Sequence, residues 1–192
     1  MVPGLHDAAA VKTSLAALAA TLSLGAATAR AGDIHVSLGA AGGASEWRGD
    51  GNAFTTLRLG YRAFEWLTGY FLARLGYGGV DERLLTGISV GVQAAKRFGP
   101  IRAYLRAGFV HQHEESAAAV RSNAWGAAFG IGDAIRHRAG ADLAAGVEIP
   151  FKKTARWEFF AAAEGFGDWF TGSSGPSWYF GGGLAVGFHY SL

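Results

Sequence analysis

From residue 32 onward the hydrophobic pattern of this chain has a period of two, and the charges in its alternating segments keep to one register. Successive side chains of a β-strand point to opposite faces, so this period predicts strands rather than helices. Eight segments show it: 34–40, 57–62, 67–77, 88–94, 101–109, 142–149, 157–168 and 179–192. In the second, Leu57, Leu59 and Tyr61 oppose Arg58, Gly60 and Arg62; in the fifth, Ile101, Ala103, Leu105, Ala107 and Phe109 oppose Arg102, Tyr104, Arg106 and Gly108. The polar register collects Arg58, Arg62, Arg74, Arg102 and Arg106 on earlier strands and Asp142, Glu148, Glu158, Glu164 and Asp168 on later ones.

Alternation alone suits a soluble sandwich as well as a membrane barrel, and three further features separate them. The polar face is crowded with Gly, Ala and Ser, as the narrow interior of a small barrel requires. Aromatics gather at segment ends (Trp47, Phe54, Trp66, Phe98, Trp157, Trp169, Phe170, Trp178 and Tyr190), where interfacial girdles stand. The third is an export signal. Residues 14–27 (SLAALAATLSLGAA) are apolar and uncharged after Lys12, and Ala29-Arg30-Ala31 fits a signal-peptidase site. Fourteen residues are short for a membrane-spanning helix, which needs about 20. We therefore expect a signal peptide over 1–31 and an outer-membrane β-barrel over 32–192. In a bilayer a sheet must close on itself to satisfy its backbone, so the expected fold is all-β, a single closed antiparallel transmembrane barrel.

Composition narrows the functions. Charged residues make up 17% of the chain against roughly 25% in ordinary soluble domains. A net charge of +2 gives no reason to expect a nucleic-acid partner, and zero cysteines exclude thiolate metal sites and a Cys nucleophile. No cofactor is expected.

Both termini on one side of the membrane require an even strand count, and eight is the expectation. A ninth alternating stretch, 124–131 (AWGAAFGI), leaves ten strands as the alternative. Residues 63–65, 98–100 and 150–155 read as short periplasmic turns, and 44–52, 78–83 and 171–177 as longer extracellular loops. Residues 114–140 then form the third extracellular excursion, with 124–131 as a hairpin arm or plug, and an α-helix in the mouth also open.

The C-terminal segment 185–192 (AVGFHYSL) resembles the assembly signal of bacterial outer-membrane proteins through Gly187, Tyr190 and Leu192. Ala185 departs from that pattern's polar residue, and Leu192 from its usual terminal Phe. In strand rhythm and Gly/aromatic usage the chain resembles the OmpA/OmpX-like superfamily. The resemblance implies an eight-stranded barrel inserted by the outer-membrane assembly machinery, and it carries over no catalytic residue.

Four candidate sites remain. The inward charges suit a lumen ion-pair network plugging the barrel; a water-filled, narrow porin-like channel is the alternative. On an extended strand His111, His113 and Glu115 share a face, and such ligands suit Zn, Ni or Cu, with His137 returning from the same excursion; the competing reading is a solvated polar strand tip. Arg121, Arg136 and Arg138 near the rim suit lipopolysaccharide phosphates, or plain solvation. Phe188-His189-Tyr190-Ser191 resembles the His-x-Ser stretch of lipid A deacylases, yet the family's following Asn is missing and the pair points into the lumen. His35 and His189 read instead as lumen-lining hydrogen-bond partners. We expect a monomeric, non-enzymatic protein in contact with outer-membrane lipid and lipopolysaccharide, its loops serving surface interaction or envelope integrity, with no further domain after the last strand.

Overall fold

The computed structural model describes residues 32–129, 131, 135–172 and 175–192. The expected signal peptide, 1–31, lies outside the described residues. Eight antiparallel strands follow in order: β1 (Asp33–Ser45), β2 (Gly51–Phe64), β3 (Leu67–Gly78), β4 (Arg83–Phe98), β5 (Ile101–Ser116), β6 (Ile135–Lys153), β7 (Trp157–Phe170) and β8 (Trp178–Ser191). Each pairs with its sequence neighbour, and β1 pairs with β8 from Asp33↔Ser191 to Ser45↔Tyr179, so the sheet closes without an edge.

The period-two pattern sets the wall's two faces. Leu38, Leu105 and Leu184 are 62%, 66% and 71% exposed on the outside, while Arg58, Arg106 and Asp142 are buried inside. A continuous outer belt of Leu, Val, Ile and Phe is a surface for lipid, not water. Aromatic residues flank it at both ends. Trp157 packs on Phe188 and Tyr190 near the short turns, and Trp178 on Phe180 near the long loops, with ring centroids 4.7–5.0 Å apart.

Turn chemistry explains the short end. Phe98 and Ile101 are paired, which leaves Gly99-Pro100 as a two-residue turn. Gly99 has φ +58° ahead of a proline whose ring fixes negative φ, the pattern of a II′ hairpin. At the other end β5 and β6 run further than the alternation suggested, to Ser116 and from Ile135, so the excursion is 117–134 rather than 114–140.

That excursion corrects the ten-strand alternative. The described residues of 124–131 pair with no strand; the segment holds two short helices, α1 (Ala117–Ser122) and α2 (Ala124–Phe129). Ser116 caps α1, its hydroxyl accepting from the Ala119 amide at 3.3 Å. Alanine at 117–119, 124, 127 and 128 favours helix over strand and overrides the apparent alternation. The segment is neither a hairpin arm nor a plug: Phe129 lines a groove with the outward-facing Leu38, Leu57 and Ile88, on the outer side of the wall.

Two girdle assignments also change. Phe54 and Phe170 are only 4% and 6% exposed, and they face the interior with Leu85, Val110, Phe166 and Tyr179 in an apolar layer. Both sit on the inward register near the long loops, where the lumen is dry enough to hold a hydrophobic layer.

Candidate functional site

From the level of that apolar layer down toward the short turns, the inward charges meet across the barrel. Arg106 on β5 reaches Glu164 on β7 at 3.2 Å and Asp142 on β6 at 3.5 Å. Arg74 on β3 pairs with Asp168 on β7 and with Asp142 at 3.1 Å. Arg58 on β2 donates to Glu164 at 3.3 Å, to Gln93 Oε1 at 3.3 Å and through Nε to His35 Nε2 at 3.1 Å. Tyr70 donates its hydroxyl to Asp142 at 2.9 Å, and Tyr104 to Glu164 at 2.7 Å. Most of these bonds join strands that are not neighbours in the sheet, so they span the lumen rather than run along its wall.

Glycines opposite make this possible. A Cβ on Gly108 would stand 2.3 Å from the Tyr70 hydroxyl, and one on Gly146 2.6 Å from that of Tyr104. The small residues of the polar register are thus the space into which the tyrosines reach.

Nearer the short turns, Glu148 accepts from His189 at 3.1 Å, and the His35 and His189 rings stand 4.9 Å apart, edge to face. Arg102 is buried directly across the β5–β6 ladder from Glu148. Two of the ten charges are closed by residues the sequence reading left out: Arg62 pairs with Asp33, and Glu158 with Arg97 at 3.0 Å and Lys153 at 3.7 Å. Buried charges are tolerated when each finds hydrogen-bonded partners, and shared partners make the network more than a set of independent pairs. A cavity of about 20 Å³ beside Arg58, Tyr104 and Glu164 is room for a single water.

A second charged cluster, toward the long loops, was missed in the sequence. Glu114 accepts from Arg138 at 2.8 Å, Tyr179 at 2.9 Å and Gln112 at 3.1 Å. Arg83 donates to Asp50 at 2.6 Å and lies over the Trp47 ring at 5.0 Å, while Asp50 also accepts from Ser45 at 2.6 Å and the Val80 amide at 3.0 Å. Arg83, Glu114 and Arg138 fall where loops were expected, but β4, β5 and β6 and their alternation continue through them, and that continuation was the available signal; Trp47 and Asp50 lie in the loop between β1 and β2. Arg138 is therefore buried in the lumen rather than offered at the rim, whereas Arg121 and Arg136 are exposed.

The remaining residues fall as follows. Gly187 faces inward with Phe160 beneath it; Tyr190 faces outward, its hydroxyl 3.3 Å from Arg156; Leu192 is exposed. Among the described residues no hydrogen bond joins Ser191 to His189. His111 and His113 lie on the outer face of β5, where His137 of β6 joins them. Glu115 shares that face and is fully buried.

No family model and no curated protein matches the sequence. Solved structures do. Neisserial surface protein A is 13% identical at a TM-score of 0.59, covering 86% of this chain and 99% of that one. The N-terminal β-barrel domain of Pseudomonas aeruginosa OprF is 16% identical at 0.57, covering 85% and 100%. Ail, the attachment invasion locus protein of Yersinia pestis, solved with the heparin analogue sucrose octasulfate, is 12% identical at 0.50, covering 85% and 99%. At such identities the likeness is one of architecture. The chain has the fold of the small eight-stranded outer-membrane β-barrels.

Proposed function

We propose that this chain is a non-enzymatic protein of the bacterial outer membrane, exported by its N-terminal signal, with a lumen closed by ion pairs and its long loops facing outward. The observation that carries the reading is the set of cross-lumen bonds among Arg58, Arg74, Arg106, Asp142, Glu164 and Asp168. A conducting pore needs a continuous water path, and these side chains stand where that path would run. The exposed Arg121 suits lipopolysaccharide phosphates at the outer leaflet. Gly187, Tyr190 and Leu192 serve recognition by the assembly machinery, and the loops serve surface interaction or envelope integrity. The lone His189–Ser191 proximity supplies no activated nucleophile, because among the described residues no hydrogen bond joins the Ser191 hydroxyl to the His189 ring.

Planar-bilayer recording of the refolded protein tests the closed lumen against the narrow channel. The reading predicts no discrete conductance steps from the wild type and measurable steps from a barrel carrying Arg106→Ala with Glu164→Ala. Steps of uniform size from the wild type would replace the plug with a channel.

A further inference from the structure

Three imidazoles converge on the outer face of the barrel where the 117–134 excursion leaves and rejoins the wall. His113 of β5 lies directly across the ladder from His137 of β6, and His111 stands two residues along β5 on the same face. Each offers a ring nitrogen, and the three nitrogens lie within 4.8 Å of one another, with His111 Nε2 and His113 Nε2 at 2.9 Å. Tetrahedral zinc with Zn–N bonds of 2.0–2.1 Å sets its nitrogens about 3.3 Å apart, so rotation about the side-chain torsions suffices to close the site. The surroundings favour a cation. Arg136 and Arg138 of the same strand lie on the opposite, inward register. Glu115, two residues beyond His113 on the histidine face, is fully buried with neither carboxylate oxygen hydrogen-bonded. Its oxygens lie outside the imidazole cluster, so it flanks the site without joining it. An unpaired buried carboxylate is costly, and a cation nearby would offset that cost.

We propose that His111, His113 and His137 form a binding site for a late first-row divalent ion of the zinc, copper or nickel class, tying together the two stems of the 117–134 excursion. Three neutral imidazoles suit ions of that class and not calcium or magnesium, which take oxygen ligands. The other cluster of this kind, His35, Glu148 and His189 in the lumen, is less suited: Arg58 already donates to His35 Nε2, and Glu148 is engaged by His189.

The test is titration of chelator-treated, untagged protein in detergent micelles with zinc chloride by calorimetry, and with cobalt chloride by visible absorption. The proposal predicts one site per barrel, an intense tetrahedral-type cobalt spectrum, and affinity lowered by more than roughly 100-fold in His113→Gln and His137→Gln, since losing a direct ligand exceeds the 10–100-fold effect of an outer partner. His35→Gln should bind as the wild type does. Each variant is first checked for its heat-modifiable folded band. For any that fails to fold, the wild type serves alone: zinc should protect the three histidines from diethyl pyrocarbonate, read by mass spectrometry, and magnesium should not. No saturable binding, unchanged affinity in the His113 and His137 variants, loss that follows His35 instead, or no protection of the three histidines would each overturn the proposal.

Discussion

Asp142→Ala is the substitution that most strains the lumen network. Asp142 is fully buried and accepts from Tyr70 at 2.9 Å, Arg74 at 3.1 Å and Arg106 at 3.5 Å. Arg74 keeps Asp168 and Arg106 keeps Glu164, but Tyr70 loses its acceptor, at about 1–3 kcal/mol for a buried unsatisfied hydroxyl. Each guanidinium also loses one of two carboxylates in a dry interior. Together these place the destabilisation at about 3–5 kcal/mol, the range for removing one partner of a buried ion pair. Paired with Arg106→Ala, the two effects should fall short of additive by about 1–3 kcal/mol, because each removes a contact the other depends on. Urea unfolding in lipid vesicles, followed by tryptophan fluorescence and the heat-modifiable gel band, measures both quantities. Leu105→Ala, one residue from Arg106 on the lipid face, is the control and should shift the midpoint far less. A loss under about 0.5 kcal/mol for Asp142→Ala, additive with Arg106→Ala, would refute the reasoning, since such charges would be solvated in an open lumen.

Other substitutions test other parts of the structure. Leu59→Arg and Val90→Arg each set a charge on the outward belt and should cost about 2–4 kcal/mol near the bilayer midplane, read from the unfolding midpoint in vesicles. Gly108→Val forces a side chain into the space of the Tyr70 hydroxyl and should cost about 1–3 kcal/mol by overpacking, whereas Ala107→Val on the outer face should be near neutral. Gly99→Ala places a Cβ at φ +58° and should cost about 1–2 kcal/mol, visible as slower folding into vesicles or a lower midpoint.

The inward and outward faces of all eight strands were legible because a bilayer imposes a sharp rule: outside positions must be apolar, so charges mark the inside. What was not legible is which charges meet. Period two assigns a face but not a height, and only the stagger between strands shows that Arg58 reaches Glu164 of β7 across the lumen as well as His35 of β1. The Glu114–Arg138–Arg83 cluster escaped because it sits at the loop ends of β4, β5 and β6, where the outward register holds His111, His113 and Glu115 instead of apolar residues and the contrast fades. Leu72, Leu85 and Val110 are apolar yet inward, and alternation alone reads such residues ambiguously. The helices of 117–129 were hidden for the opposite reason: a short run of Ala, Gly and aromatics happens to alternate. His111 and His113 stood out as a motif, but His137 joins them only through the ladder pairing of β5 with β6.

Heat-modifiability of the refolded chain in detergent tests the central claim most directly, namely that the apolar register is a lipid-facing wall of a closed barrel. The account predicts an unboiled band that migrates faster than the boiled one, with strand-type circular dichroism and a requirement for detergent or lipid. A chain that stays soluble and monomeric without detergent, with no band shift on boiling, would contradict it.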